Sequence, residues 1–272
     1  MKPNPRKRGN SLDGKRWIQN SISVWSDIRK SPEELRLKHP AMFPAALATR
    51  LIESFLPEGP HVVFDPFAGI GSTLIAANRL GKEAVGLELS SDFVATARQR
   101  LGDGTLFEHD ATAPAVWLHQ ASATDLLQHV RSASIDLCIT SPPYWNILNQ
   151  RRTADAKSIR HYGNLENDLG TIADYGDFLS ALTRIFADVL HVLKPGAHCC
   201  IVVMDLRKKN RFYPFHSDLA ARLQQIGYEL DDLVVWNRQA EYNNLRPLGF
   251  PAVFRVNKVH EFILLMRKPS PS

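Results

Sequence analysis

Residues Ser134–Trp145 read SIDLCITSPPYW, and this stretch decides how the rest of the chain is interpreted. The apolar run Ser134–Ile139 is short and ends at turn-forming residues, which predicts a buried strand of a parallel sheet. Open α/β sheets bind ligands beyond the carboxyl ends of such strands. The Pro-Pro pair fixes two φ angles and removes two amide donors, so it makes a stiff corner beside a serine hydroxyl and two aromatic rings. Such a corner suits a flat base with an exocyclic amine, although it would also serve as a plain strand-end loop.

Strands and helices alternate on both sides of this corner, which predicts a parallel sheet covered by helices. With 272 residues and 44% hydrophobic content, the chain can bury one large core. A helix start is expected at Ser31, with Pro32 in its first turn. The predicted strands lie at 61–65, 84–88, 105–109, 134–139, 198–204, 230–236 and 261–266. The predicted helices lie at 45–55, 92–101, 175–193 and 216–227, and one more follows a glycine-rich turn and ends near 80.

Positive charge is concentrated at the beginning of the chain. The formal net charge is +5, and residues 1–40 hold ten basic against four acidic side chains, a net of +6. A segment of this kind is either a solvated tail, which we favour for residues 1–14, or an arm that follows a phosphate backbone. The excess of basic residues therefore favours a polyanionic partner.

Cysteine usage and hydropathy indicate a soluble cytoplasmic protein. The three cysteines, Cys138, Cys199 and Cys200, lie in apolar strand-like runs, which is typical of core packing in a reducing compartment. No Cys/His spacing suggests a metal site, so none is expected. The sequence shows neither a signal peptide nor an apolar run near the length of a membrane span, so no membrane partner is expected.

The second informative stretch is DPFAGIGST, Asp65–Thr73, a glycine-rich turn between a predicted strand and a helix. Small residues let a ligand approach the backbone, and a helix N-terminus offers free amides. Leu74 stands where the dinucleotide fingerprint has its third glycine, which favours a zwitterionic or nucleoside ligand over a pyrophosphate. Glu88 ends the next strand, 17 residues after Gly71, where a carboxylate can take both ribose hydroxyls. A helix cap or a solvated strand end is the alternative role for such an acid.

The Ser-Pro-Pro-Tyr corner and the glycine-rich turn resemble the motifs of the amino-methyltransferases, which methylate exocyclic amines of cytosine or adenine in DNA. The resemblance covers about residues 21–268, with the cofactor half first and the catalytic half second. It implies S-adenosylmethionine as cofactor and an α/β, Rossmann-like S-adenosylmethionine-dependent methyltransferase fold. That fold has a seven-stranded, mostly parallel sheet with helices on both faces.

The resemblance also implies roles for individual residues. In the catalytic set, the Ser141 hydroxyl and the Pro142 carbonyl would accept the amine hydrogens, and Tyr144 would stack on a base that has left the duplex. Asp110 would accept from the adenine amine of the cofactor. The implied catalytic residues are Ser141, Pro142, Pro143 and Tyr144. The implied cofactor-binding residues are Phe43, Pro44, Asp65, Phe67, Gly69, Gly71, Thr73, Glu88, Asp110 and Thr140.

The expected organisation is a basic arm at 1–38 and one methyltransferase domain at 39–272, with a cofactor half at 39–130 and a catalytic half at 131–272. No insert of domain size is visible, so recognition of double-stranded DNA is assigned to loops. The loops are 146–168, 208–214 and 237–258. The candidate nucleic-acid contacts are Trp145, Arg151, Arg152, Lys208, Lys209, Arg211 and Arg246.

The identity of the target amine depends on one residue. No cysteine follows a proline, so the Pro-Cys nucleophile of carbon-5 cytosine methyltransferases is missing. Ser141, where many family members have Asp or Asn, favours the 4-amino group of cytosine, with the 6-amino group of adenine as the alternative. A nucleic-acid-binding module without activity and a methyltransferase acting on RNA or a protein amide stay open. The resemblance also suggests a companion restriction endonuclease as a partner.

Overall fold

The computed structural model of the protein describes residues 9–37, 42–102, 114–147, 168–242, 245 and 247–271. Its helices are α1 Gly14–Asn20, α2 Pro32–Arg36, α3 Ala45–Phe55, α4 Ser72–Arg79, α5 Ser91–Leu101, α6 Leu126–His129, α7 Tyr175–Val192 and α8 Phe215–Gln225. Its strands are β1 Val24–Trp25, β2 Val62–Asp65, β3 Glu83–Glu88, β4 Val116–Gln120, β5 Ile135–Thr140, β6 Leu193–Val203, β7 Leu206–Lys208, β8 Arg211–Tyr213, β9 Glu229–Asn237 and β10 His260–Arg267. Short 3-10 turns lie at Ala123–Asp125, Trp145–Ile147, Leu169–Thr171 and Gln239–Glu241.

The main sheet has the strand order β1-β9-β10-β6-β5-β2-β3-β4 within the described residues. Neighbouring strands are parallel except at β10, which is antiparallel to both β6 and β9. This confirms the predicted mostly parallel, Rossmann-like sheet. The described sheet has eight strands rather than seven, because the two-residue strand β1 pairs alongside β9.

The strand order reverses between β5 and β2, and this reversal positions the ligand site. From β2 the chain continues to β3 and β4 on one side, whereas β5 and β6 lie on the other. Loops diverge at such a switch point, which leaves a crevice beyond the carboxyl ends of the two central strands. The crevice therefore lies where the glycine-rich turn follows β2 and the Pro-Pro corner follows β5.

Helices cover both faces of the sheet and form two apolar cores. Leu137 and Ile139 of β5 pack with α3 and α4 on one face, while Cys138 packs with α7 and α8 on the other. The period-2 alternation of a strand produces this division. On α7 the apolar stripe predicted from helical spacing is buried, and it includes Phe178, Leu182, Phe186 and Val189.

Several predicted elements are confirmed, and the differences have local causes. The helix predicted at 45–55 is α3, and Ser31 caps α2 through a reciprocal capping box with Glu34. Strand β6 begins at Leu193, so it includes residues 194–197, the break between the helix predicted at 175–193 and the strand predicted at 198–204. Gly196 adopts a φ of +78° and donates its amide to the Lys268 carbonyl, which allows pairing to continue through the break.

Three further elements differ from the predictions. The strand beside β3 is β4, which sequence reasoning missed, and the strand predicted at 105–109 lies outside the described residues. The segment predicted as a recognition loop at 208–214 is largely an antiparallel hairpin, β7 with β8. Residues 9–37 of the predicted arm pack on the domain, because Trp25 and Ile28 are buried against the α3 face. The described part of the predicted arm is therefore in contact with the rest of the domain.

Within the described ranges, no helix is both long enough and apolar enough to span a bilayer. The same residues contain no group of His, Cys, Asp and Glu side chains that would hold a metal ion.

Candidate active site

A cavity opens at the switch point, and its wall combines short segments from both halves of the chain. The lining segments are 66–70, 87–90, 121–123, 141–145 and 168–170, together with Met42, Phe43, Ser72 and Ile185. The predicted site residues in this wall are Phe43, Phe67, Gly69, Glu88, Ser141, Pro142, Pro143, Tyr144 and Trp145. The glycine-rich turn, the strand-end acid and the Pro-Pro corner therefore face one cavity.

Two left-handed glycines shape the turn that follows β2. Gly69 has a φ of +53° and Gly71 a φ of +82°, a region that residues with a Cβ seldom adopt. A Cβ on Gly71 would also lie 3.2 Å from the Cβ of Ala97. Gly69 lines the cavity, but Gly71, at the N-cap of α4, does not. Pro44, at the N-cap of α3, is likewise outside the wall.

Glu88 is fixed in the cavity wall by backbone amides. Its Oε2 accepts from the Gly69 amide at 2.8 Å, and its Oε1 accepts from the Ser90 amide at 2.8 Å. Burial raises the pKa of Glu88, and the two amide hydrogen bonds oppose that rise. Since a carboxylate has about four acceptor positions, Glu88 keeps capacity for a further donor from the cavity.

Asp65, Thr73 and Thr140, which were predicted to bind the cofactor, lie behind the cavity wall and not in it. All three are buried, and Asp65 accepts from the Thr140 hydroxyl at 2.6 Å, the Thr73 hydroxyl at 2.7 Å and the Phe67 amide at 3.0 Å. Burial raises the pKa of Asp65 to about 6, although these hydrogen bonds act in the opposite direction. The network joins the end of β2 to the end of β5 and so fixes the turn relative to the corner.

The Pro-Pro corner is held by a chain of polar side chains in which Tyr144 and Glu261 are buried. The Ser141 hydroxyl donates to the Tyr144 hydroxyl at 3.2 Å, which in turn donates to Oε2 of Glu261 at 2.8 Å. Glu261 also pairs with Arg238 through its other oxygen. Burial, together with the neighbouring Glu261 carboxylate, raises the pKa of Tyr144 well above its usual value, so the phenol keeps its proton.

Sequence reasoning missed Glu261 and Arg238 as parts of this site. Glu261 opens an otherwise apolar strand, EFILLM, and an acid at such a position is a signal of a buried polar network. The cavity also contains Ser122 and Asp168, which sequence reasoning did not select.

Trp145 connects the corner to the basic hairpin. Its indole N–H donates to the Ile172 carbonyl at 2.9 Å, and the Lys208 ammonium lies 3.9 Å from its ring centroid. Lys208 also donates to the Asn146 side chain at 3.0 Å. Arg255 donates to the Lys209 carbonyl at 3.0 Å, which ties the segment before β10 to the hairpin turn.

The other predicted nucleic-acid contacts are only partly described. Arg211 lies on β8, where its guanidinium carbon is 5.0 Å from the Tyr213 ring centroid. Arg151, Arg152 and Arg246 lie outside the described residues, as does the predicted cofactor contact Asp110.

Comparison with known proteins agrees with this geometry. The chain matches the N6/N4 methyltransferase family model, described as DNA methylase, over residues 2–99 and 135–272. The Type II methyltransferase M.ScaI of Streptomyces caespitosus is 35% identical over 36% of this chain and 34% of its own length. The Type II methyltransferase M2.DpnII of Streptococcus pneumoniae is 35% identical over 29% of each chain. The matched part therefore spans about a third of these relatives.

Among solved structures, TTHA0409 of Thermus thermophilus, a proposed DNA modification methylase crystallised with S-adenosyl-L-methionine, is 27% identical. The similarity covers 55% of this chain and 54% of that chain, with a TM-score of 0.39. The family match, which spans most of the chain, includes both the glycine-rich turn and the Pro-Pro corner. The protein belongs to the N6/N4 DNA methylase family.

Proposed function

We propose that the protein transfers the methyl group of S-adenosylmethionine to the 4-amino group of a cytosine flipped out of double-stranded DNA. The observation that carries this proposal is that Ser141 and Pro142 share one cavity with Glu88 and the glycine-rich turn. A site for a methyl donor and a site for a flat base would then be adjacent.

The cofactor half of the cavity has the donors and acceptors that a nucleoside with an amino acid tail requires. Glu88 keeps free acceptor capacity toward the cavity for a ribose diol, and Gly69 leaves room for close approach to the backbone. S-adenosylmethionine would supply an electrophilic methyl group on a sulfonium. We assign Phe43 and Phe67, both in the cavity wall, to contact this ligand.

At the corner, the protein must make a weak nucleophile react. The lone pair of an exocyclic amine is delocalised into the ring, so the nitrogen has to become tetrahedral before it can attack. Acceptors at Ser141 Oγ and at the Pro142 carbonyl would draw its hydrogens out of the ring plane and stabilise charge that develops in the transition state. The base must leave the duplex to reach them, because its amine is otherwise paired.

The surface next to the corner supports DNA as the substrate. Segments 206–214 and 247–258 contain Arg207, Lys208, Lys209, Arg211, Arg255 and Lys258, and they contain no acid. The hairpin follows the carboxyl end of β6, and the second segment precedes the antiparallel strand β10, so both leave the sheet at the edge that holds the cavity. A row of cations at this edge would bind the phosphates that flank a flipped base.

The proposal is tested by incubating the protein with methyl-labelled S-adenosylmethionine and duplex DNA of mixed sequence, then digesting the DNA and identifying the labelled nucleoside. We expect N4-methylcytosine. N6-methyladenine would replace the cytosine assignment with the adenine alternative, and no label in any duplex would refute DNA methylation. Ser141→Ala should lower the single-turnover rate by about 10²- to 10³-fold with unchanged cofactor affinity, because one transition-state hydrogen bond is lost.

A further inference from the structure

We infer that the Glu261–Arg238 ion pair fixes the direction of the hydrogen bonds at the corner, so that Ser141 presents lone pairs and not its proton to the target amine. Glu261 and Arg238 are thus positioning residues that act through Tyr144. The inference rests on the proposed function and deepens it.

Glu261 sets the direction of the hydrogen bonds that run from Ser141 through Tyr144. Glu261 is 5% exposed, and an ionised carboxylate can only accept hydrogen bonds. The Tyr144 hydroxyl, 2.8 Å away, must therefore donate to it. Because the tyrosine proton is used in that bond, Tyr144 accepts a hydrogen bond from the Ser141 hydroxyl at 3.2 Å. With its own proton engaged, Ser141 can only accept hydrogen bonds from the cavity.

Arg238 supplies the positive charge that pairs with Glu261. Burial alone would lower the pKa of Arg238, but the carboxylates of Glu261 and Glu241 outweigh it and raise that pKa. The guanidinium is held in place by Glu241 at 2.8 Å and by the ring of Trp236, whose centroid lies 4.7 Å away. The fixed cation compensates the charge of the buried Glu261 carboxylate, and a carboxylate determines which way Tyr144 donates.

The direction matters because the target amine is itself a donor. An amine can bond to Ser141 only if the serine oxygen offers a lone pair. With an amide at position 261, an N–H could donate to Tyr144, which could then donate to Ser141. The serine proton would be free to point into the cavity, where it would oppose the amine hydrogens. The Glu261→Gln substitution thus hardly changes the shape of the side chain, yet it permits the hydrogen bonds to run in the reverse direction, toward Ser141.

The test measures single-turnover methyl transfer to duplex DNA for the wild type, Glu261→Gln, Tyr144→Phe and the double variant. We expect Glu261→Gln to lose about 10²-fold or more in rate and Tyr144→Phe about 10-fold, with cofactor affinity and base-flipping fluorescence unchanged. The double variant should transfer methyl groups at the rate of Tyr144→Phe and faster than Glu261→Gln, because the reversed hydrogen bonds cannot form without the phenol. If the substitutions acted only by damaging the packing, their effects would add and the double variant would be the slowest of the four proteins.

A matched control is available in the same pair of strands. Glu229 and Arg267 form an ion pair of 2.6 Å between β9 and β10 at the end away from the cavity. Glu229→Gln should therefore transfer methyl groups at the wild-type rate. If Glu261→Gln does not fold, Tyr144→Phe alone decides the matter, since an undiminished rate would refute the inference.

The outcomes distinguish failure of the proposed function from failure of the inference. A wild-type protein that methylates no duplex would overturn the proposed function. A wild-type enzyme accompanied by an equally active Glu261→Gln variant, or by additive losses in the double variant, would overturn the inference alone. A double variant faster than Glu261→Gln would support both.

Discussion

Replacing Asp65 with asparagine should stabilise the protein at neutral pH, although Asp65 accepts three hydrogen bonds. The buried carboxyl has its pKa raised from 3.8 to about 6. A raised pKa means that the folded state binds the proton more tightly than the unfolded state. Asp65 therefore favours folding most when protonated, and stability falls as the pH rises from about 4 to about 6. Two pKa units correspond to about 3 kcal/mol, which is the stability that ionisation removes above pH 6.

The network can accommodate an amide in place of the carboxyl group. The amide oxygen of the Asp65→Asn variant would still accept from Thr140, while its NH₂ group could donate to the Thr73 hydroxyl. Thr73 has a second acceptor for its own proton, the Ile139 carbonyl at 3.2 Å. Asp65→Asn should therefore gain up to about 3 kcal/mol in the free energy of unfolding at pH 7.5 and show little difference from the wild type at pH 4.

The assay is equilibrium unfolding in urea at a series of pH values, with the difference between the two proteins as the observable. That difference removes contributions from acids whose pKa is lowered, such as Asp27 beside Arg50. Asp65→Leu is the contrasting variant, since it leaves both threonine hydroxyls without this acceptor and should destabilise the fold. A pH-independent difference between Asp65→Asn and the wild type would refute the reasoning.

Two further predictions concern ligands. Glu88→Ala should weaken binding of S-adenosylmethionine by about 10- to 100-fold in calorimetry, because a charged acceptor for the ribose hydroxyls is lost. Unchanged affinity would show that Glu88 does not bind the cofactor. The control is Glu58→Ala, which removes a surface acid outside the cavity wall. Lys209→Ala and Arg211→Ala should each reduce the slope of log binding constant against log salt by about 0.9 for duplex DNA, because each would remove one phosphate contact. The exposed Arg131, which precedes β5 at the opposite edge of the sheet, should leave the slope unchanged when replaced by Ala.

The sequence was most informative where local pattern determines structure. The apolar run before Thr140 predicts a central strand, and helical spacing predicts α3 and α7, because these elements are decided by which faces are buried. The Pro-Pro pair fixes its own backbone, so the corner could be recognised without knowing its neighbours.

Long-range contacts could not be predicted in the same way. Thr140 and Asp65 both lie in recognisable motifs, but they bond to each other between neighbouring strands and are not part of the cavity wall. Tyr144 and Glu261 are 117 positions apart, so their contact depends on β10 passing beside β6. Strand β1 has two residues, too few to show an alternating pattern.

The contact between β2 and β5 has a consequence for how such a protein can be assembled. Val63 pairs with Leu137 and Phe64 with Cys138, and Asp65 meets Thr140 at the end of the same seam. These contacts are noncovalent and sit side by side, so they do not depend on which strand is synthesised first. The pairing of β2 with β5 thus joins two parts of one chain in the way that an interface joins two subunits. We expect a chain that is cut and rejoined elsewhere, with its halves in either order, to keep the glycine-rich turn beside the Pro-Pro corner.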